Sequence, residues 1–315
     1  MFPFVPVYQR TLETGRMKDL VVEAQKRLDD CRLCPRECRV NRMENELGFC
    51  RTGKQAWVSS YGPHFGEERP LVGKNGSGTI FFTHCNLRCN FCQNYDISHL
   101  GHGQEVTDAQ LAQIMLTLQR QGCHNINLVT PSHVIPQIIA AVGLAAEKGL
   151  ELPIVYNTGG YDRVDSLRLL EAIVDIYMPD FKFWDAEIAR DTCQAADYPE
   201  IARRAIRQMH RQVGDLRQNT EEIATRGLLV RHLLMPGGLA GSGDIFRFIA
   251  TAISPQTYVN IMPQYRPCGR AAGIPVLAEG IDAQTYRNAL NAAREAGLKR
   301  LDPPRWVFRG FDGSG

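Results

Sequence analysis

The chain has 315 residues, with 36 Lys plus Arg against 34 Asp plus Glu, a formal net charge of +2, and 44% hydrophobic residues. This composition excludes a disordered chain and a general nucleic-acid binder, and the length buries a sizeable core without a disulfide scaffold. The unusual count is ten cysteines, most of them gathered between Cys31 and Cys92. Residues 1–18 are broken by Pro3, Pro6, Gln9 and Arg10 and hold no secretory apolar run. No stretch has the length of apolar residues that a membrane span needs. A cytoplasmic protein with no membrane and no nucleic-acid partner is expected. In such a protein, clustered cysteines point to metal or redox chemistry.

Taken in chain order, 17–30 reads as a helix, with Leu20, Val21, Ala24 and Leu28 at helical spacing. Residues 31–53 are irregular and carry four cysteines. A short strand is expected at 56–61, then a Gly/Pro-rich stretch over 62–78. From Thr79 strands and helices alternate. Strands are expected at 79–83, 126–130, 153–157, 176–181, 227–234 and 258–262. Helices are expected at 108–120, 134–148, 165–174, 199–213, 244–253 and 282–296. Six β-then-α units imply an α/β fold with a parallel sheet and helices outside it. A partial barrel and an open doubly wound sheet both fit. In either, the C-terminal strand ends are where a site belongs.

The triplet Cys85-x3-Cys89-x2-Cys92 lies just after the first of these strands. Three thiolates can hold three irons of a [4Fe-4S] cluster and leave the fourth iron open. The plainer reading is a partial zinc site with His84 as a further ligand. Cys31-x2-Cys34-x3-Cys38-x11-Cys50 is a second set. Its four thiolates can close a tetrahedral zinc site or ligate an accessory iron–sulfur cluster. Cys123 and Cys193 read as packed thiols, and Cys268 as a thiol after the last strand that could approach a site. The arginines of 199–213 read as a solvated basic face, with a docking surface for a protein as the minority reading.

Residues 82–94, Phe-Thr-His-Cys-Asn-Leu-Arg-Cys-Asn-Phe-Cys-Gln-Asn, resemble the cluster loop of the radical S-adenosylmethionine (radical SAM) superfamily. They look most like the branch of uncharacterised relatives of pyruvate formate-lyase activating enzyme that carry an extra N-terminal four-cysteine motif. Further matches lie at 156–160, 178–182, 230–232 with 236–237, and 262–267, so the resemblance spans roughly 31–300. It implies a partial (β/α)6 barrel over 78–300, a cysteine-rich metal-binding extension over 1–77 and a tail over 301–315.

The implied cofactors are a [4Fe-4S] cluster on Cys85, Cys89 and Cys92, and S-adenosylmethionine. The implied reaction is reductive cleavage to a 5′-deoxyadenosyl radical that abstracts hydrogen from a substrate. That substrate is a protein, as in glycyl-radical enzyme activation, or a small metabolite or peptide. An electron donor such as flavodoxin or ferredoxin is implied as a partner. A non-catalytic iron–sulfur electron carrier is the reading from another class, but a carrier cluster has four protein ligands where this triplet offers three.

The resemblance places Phe91 against the adenine, with Asn94 beside it. Asn157, Asp180 and Lys182 match positions that contact the ribose and carboxylate. Arg231 and His232 end the next strand, where alternation turns only one of them to the site. The family's Gly-Gly-Glu motif is absent after the second strand. Thr130, Ser132 and His133 stand in its place as acceptors for the cofactor's amino group. No glycyl-radical segment is seen near the C-terminus.

Overall fold

The computed structural model describes residues 4–303, so most of the expected tail at 301–315 lies outside the described residues. Helices α1 (Val7–Glu13) and α2 (Arg16–Lys26) come first. After the cysteine-rich segment come β1 (Ala56–His64), α3 (Arg69–Val72), β2 (Ser77–Phe82), α4 (Tyr95–Ser98) and β3 (Gln104–Val106). Then follow α5 (Asp108–Arg120), β4 (Ile126–Val129), α6 (Ile135–Ala146), β5 (Ile154–Thr158), α7 (Val164–Leu170) and β6 (Ile176–Pro179). The series continues with α8 (Ala186–Cys193), α9 (Tyr198–Val213), β7 (Arg217–Gln218), β8 (Ala224–Leu233), α10 (Ser242–Phe248), β9 (Tyr258–Met262), α11 (Ala283–Glu295) and β10 (Arg300–Leu301).

Local chemistry explains the helices. Thr107 and Gln110 form a reciprocal capping box at the start of α5, and Leu111, Met115 and Leu118 are buried on one face. In α9, Pro199 sits in the first turn, and Ala202, Ala205, Ile206, Met209 and Val213 make the buried stripe. The arginines face the other way. Arg203 lies 4.5 Å from the Trp184 ring and Arg207 4.8 Å from Phe248, so part of the basic face is spent on aromatic contacts.

The strand order is β10-β9-β8-β6-β5-β4-β2-β1-β3, with β7 paired to β8. From β2 to β10 the main strands run parallel, while β1 and β3 add an antiparallel edge. Each later strand of the repeating series adds on the same side. A doubly wound sheet would reverse direction at a switch point; this one never does.

The sheet also curls. From β1 to β9 there are six strand steps, roughly 29 Å across a flat sheet at about 4.8 Å per step. Yet Asn260 of β9 donates to Glu68, four residues beyond β1, at 2.9 Å. The two sides of the sheet must therefore turn towards each other.

Register and alternation assign the two faces. Leu128, Tyr156, Tyr177 and Leu228 stand in one row and join the main core beneath the helices. On the other face, Val155, Met178 and Leu229 form a smaller cluster with Leu71, so α3 closes one end of the curl. Two residues further along the strands, the same inner face carries Asn157, Asp180 and Arg231. Among the described residues no helix is long and apolar enough to cross a membrane.

Candidate active site

The inner face opens into a cavity of about 460 Å³. Cys85, Cys89 and Cys92 lie on its wall, together with Phe91, Asn94, Thr130, Asn157, Asp180, Lys182 and Arg231. Residues from Thr130 to Arg231, far from the triplet in the chain, thus meet it because parallel strands end together. The loop that presents the sulfurs needs two left-handed residues, His84 (φ 65°) and Arg88 (φ 54°). Hydrogen bonds already address two sulfurs. Leu87 N–H donates to Cys85 Sγ at 3.3 Å and Ser98 Oγ–H to Cys92 Sγ at 3.2 Å. Burial pushes the Cys85 thiol up to about 12, so these sulfurs keep their protons until a cation replaces them.

Phe91 is buried and meets Phe183 edge-on at 5.7 Å, which fixes its ring at the cavity wall. The strand-end charges form one chain. Lys182 Nζ lies 2.6 Å from Asp180, and Arg231 Nε 2.8 Å from the other Asp180 oxygen. Arg231 also donates to Asn157 Oδ1 at 2.7 Å. The two cations outweigh burial and hold the Asp180 carboxyl below its ordinary range, while Asp180 raises Lys182. Gly160 makes room for this arrangement. Its φ is +80°, and a Cβ there would stand 2.3 Å from the Asp180 carbonyl oxygen.

Two acids on the wall were not anticipated from the sequence. Glu67 and Glu68 are 7% and 4% exposed and lie 3.7 and 3.9 Å from Arg231. Burial lifts Glu68 to about 7, whereas contacts with His64 and Arg231 lower Glu67. The only sequence signal was an acidic pair just before Arg69-Pro70, which reads as a helix start.

Other expected residues point elsewhere. Of Thr130, Ser132 and His133, only Thr130 lines the cavity, turned in by its left-handed backbone (φ 61°). Ser132 pairs with the Thr158 hydroxyl at 3.0 Å. His133 is fully buried against the Thr83 carbonyl at 2.9 Å and faces the other cysteine set. Of Arg231 and His232, alternation turns Arg231 inward and His232 outward. His232 Nδ1–H donates to the Phe181 carbonyl at 2.7 Å, and its Nε2 accepts from Ser242 Oγ at 2.8 Å. Cys268 is absent from the cavity wall.

The outward His232 carries a pH prediction. Burial lowers it from 6.5 to about 4. The fold therefore favours the neutral ring, and that stabilisation is complete above pH 6.5 and lost as pH falls towards 4. The loss is about 3 kcal/mol at about 1.4 kcal/mol per pH unit. Urea midpoints at pH 7 and pH 5 should fall more steeply for the wild type than for His232→Asn. Parallel pH slopes would show that His232 is not the sensor.

Cys31, Cys34, Cys38 and Cys50 come together around a small void of about 10 Å³, with Arg42 and His133 beside them. Phe49 N–H donates to Cys38 Sγ at 3.3 Å. Burial raises Cys34 and Cys50 above the ordinary thiol range. Among the described residues no group of three or more His, Cys, Asp or Glu side chains stands ready to hold a metal ion. A cluster spreads its ligands wider than one ion does. Cys123 packs away from both sets, in the main core.

The sequence matches the radical SAM superfamily over residues 79–218. It is 32% identical over 289 residues to an uncharacterized protein of Methanocaldococcus jannaschii, covering 89% of this chain and 79% of that one. The chain belongs to the radical SAM superfamily. Among solved structures, HydG, a maturase of the [FeFe]-hydrogenase, is similar with a TM-score of 0.47 and 9% identity, over 69% of this chain. The chain spans about half the length of HydG, 49%. Methylornithine synthase (PylB) gives a TM-score of 0.37 and 16% identity, over 75% of each chain.

Membership implies a [4Fe-4S] cluster and S-adenosylmethionine. The radical SAM cavity fits both: three sulfurs lie at one wall, two of them with hydrogen-bond donors already aimed at them, and polar strand ends surround the remaining space.

Proposed function

We propose that this chain is an activating-enzyme-like oxidoreductase, which cleaves S-adenosylmethionine reductively and takes a hydrogen atom from a protein partner. The observation that carries the radical chemistry is the placement of Cys85, Cys89 and Cys92 on the wall of a 460 Å³ cavity lined by Asn157, Asp180, Lys182 and Arg231. The protein-partner reading rests on the resemblance of residues 82–94 to activating enzymes. The curled, singly wound sheet supports the partial (β/α)6 barrel, with 78–300 as its span. A reduced flavodoxin or ferredoxin is the proposed electron donor.

When bound, the cluster supplies one electron that converts S-adenosylmethionine into methionine and a 5′-deoxyadenosyl radical. The chain's own residues orient and shield. Phe91 offers a fixed apolar face for adenine. Asp180 and Asn157 offer acceptors for ribose hydroxyls, and Lys182 offers a cation for the cofactor's carboxylate. Thr130 offers an acceptor at the position of the missing Gly-Gly-Glu motif. The curl walls the cavity and α3 closes one end of it.

A second reading, a small polar metabolite as substrate, has its own support. Glu67, Glu68 and Asn260 put hydrogen-bonding groups on the cavity wall beyond the residues assigned to the cofactor. Reconstituted protein with dithionite and S-adenosylmethionine should yield 5′-deoxyadenosine. Deuterated lysate, split by size, should then pass deuterium into 5′-deoxyadenosine from the macromolecular fraction. Transfer from the small-molecule fraction alone would favour the metabolite. No 5′-deoxyadenosine under any reducing condition would remove the catalytic reading.

The four-cysteine set is proposed as a second metal centre, iron–sulfur or zinc. Arg42 supports it. Its side chain is buried at 1% exposure, bonds the Gly53 and His133 carbonyls, and leaves Nη2 without a partner. A guanidinium stays charged, and among the described residues no carboxylate pairs with it. Thiolates on a metal would supply the missing negative charge.

A further inference from the structure

The three sulfurs of the cavity are treated alike by their surroundings. Cys85 receives the Leu87 N–H and Cys92 receives the Ser98 hydroxyl. Cys89 faces a third donor, the thiol of Cys193, at 3.1 Å between sulfurs. Cys193 is the last residue of α8, fully buried, and 104 positions away in the chain.

Backbone contacts hold it there. Asn90 N–H donates to the Thr192 carbonyl at 2.9 Å, and the Asn90 amide donates to the Asp191 carbonyl at 3.3 Å. Arg36 ties the same pieces together. Its Nε donates to the Asn86 carbonyl at 2.9 Å and its Nη2 to the Cys193 carbonyl at 3.0 Å. The end of α8 is thus fastened to the cluster loop on both sides of Cys89. Thr192 spends its hydroxyl hydrogen on the Ile188 carbonyl at 2.6 Å, so it does not donate to Cys193 Sγ, and Cys89 Sγ at 3.1 Å is a nearer acceptor for the Cys193 hydrogen than the Thr192 oxygen at 3.6 Å.

Cys193 does not fit the role of a fourth ligand. Ligands on separate irons stand apart by the width of the cluster, and this sulfur lies directly against one already counted. A thiol in contact with a ligand sulfur has a different effect. Hydrogen bonds to ligand sulfurs draw off electron density and favour the reduced cluster, which carries the greater negative charge.

We propose that Cys193 is a positioning residue for the cluster, whose S–H donates to the Cys89 thiolate and raises the cluster's reduction potential. The proposal rests on the cluster assignment made above.

The test compares wild type, Cys193→Ala and Cys193→Ser after anaerobic reconstitution and without S-adenosylmethionine. Iron and sulfide per chain, the electron paramagnetic resonance signal of the reduced cluster, and its midpoint potential are measured. The relevant signal is the one absent from Cys89→Ala. Iron content should be equal in all three. The alanine variant should titrate at a more negative potential, and the serine hydroxyl should bring the potential back to the wild-type value or above it. Equal potentials in all three overturn the proposal, and so does loss of the cluster in both variants. A wild-type chain that assembles no cluster on the triplet fails at the earlier step, the cluster assignment, and takes the proposal with it.

Discussion

Cys89→Ala should lose the cavity cluster and with it all measurable 5′-deoxyadenosine formation, while the chain stays folded. The two effects separate because the sulfur has different roles in the bound and unbound protein. Without a cluster, Cys89 is a small buried thiol at 7% exposure within the main core. Removing one sulfur atom from such a site costs about 1 kcal/mol, the order of a single deleted methylene. In the proposed ligand set it is one of three, and among the described residues no other thiol is free to take its place. Cys193 is 3.1 Å away, but its carbonyl is held by Arg36 and the carbonyl of its neighbour Thr192 by Asn90. Iron and sulfide content, the visible absorbance of the cluster and product formation measure the first effect. A urea melt of the cluster-free protein measures the second. Full iron on the triplet in Cys89→Ala would refute the ligand set. Unfolding of the cluster-free variant would instead mean that Cys89 is structural. Removing Cys31 and Cys34 should leave the cavity cluster in place.

The spacing of the triplet, and its place after a strand, made the reagent legible from sequence. So did the alternation of strand and helix, because apolar period survives in a linear reading: 108–120 and 258–262 match α5 and β9 at both ends. Alternation also stated the problem at Arg231 and His232 correctly, but it could not choose between them, since the choice depends on which face curls inward. That curl is a long-range property. Helix α8 was missed altogether, for it has one and a half polar faces and a short apolar stripe of Ala189, Thr192 and Cys193. Cys193 looked incidental for the same reason. Nothing within ten residues of it signals a partner at position 89. Glu67 and Glu68 were hidden in a Gly/Pro-rich stretch whose path into the curl is set by Leu71 packing on Val155, Met178 and Leu229. Strand-end polar residues of β5, β6 and β8 were found because parallel strands end at one rim. The β4–α6 loop gave only Thr130, because Thr130 takes a left-handed backbone that no residue pattern announces.

Asp180→Ala should destabilise the cluster-free chain by about 3–5 kcal/mol, far more than removal of a surface carboxylate. Among the described residues Asp180 is the one acid paired with both Lys182, at 2.6 Å, and Arg231, at 2.8 Å. Their side chains are only 17% exposed. Removing the acid leaves Lys182 without its ion-pair partner and takes from Arg231 its nearest one, and breaking a buried pair from one side costs several kcal/mol. Glu67 and Glu68, at 3.7 and 3.9 Å, stay with Arg231, so the cost falls mainly on Lys182. The same logic predicts a partial rescue. Asp180→Ala combined with Lys182→Met removes the cation left without an acid, while Arg231 keeps Glu67 and Glu68, so it should be more stable than Asp180→Ala alone. Both should fail to bind S-adenosylmethionine, so stability and binding part company in the double variant. Urea midpoints and equilibrium dialysis of the reconstituted proteins check the two halves. A shift below about 1 kcal/mol for Asp180→Ala would mean that the pair behaves as an exposed one. A double variant less stable than the single would mean that packing, rather than charge, holds these side chains at the rim.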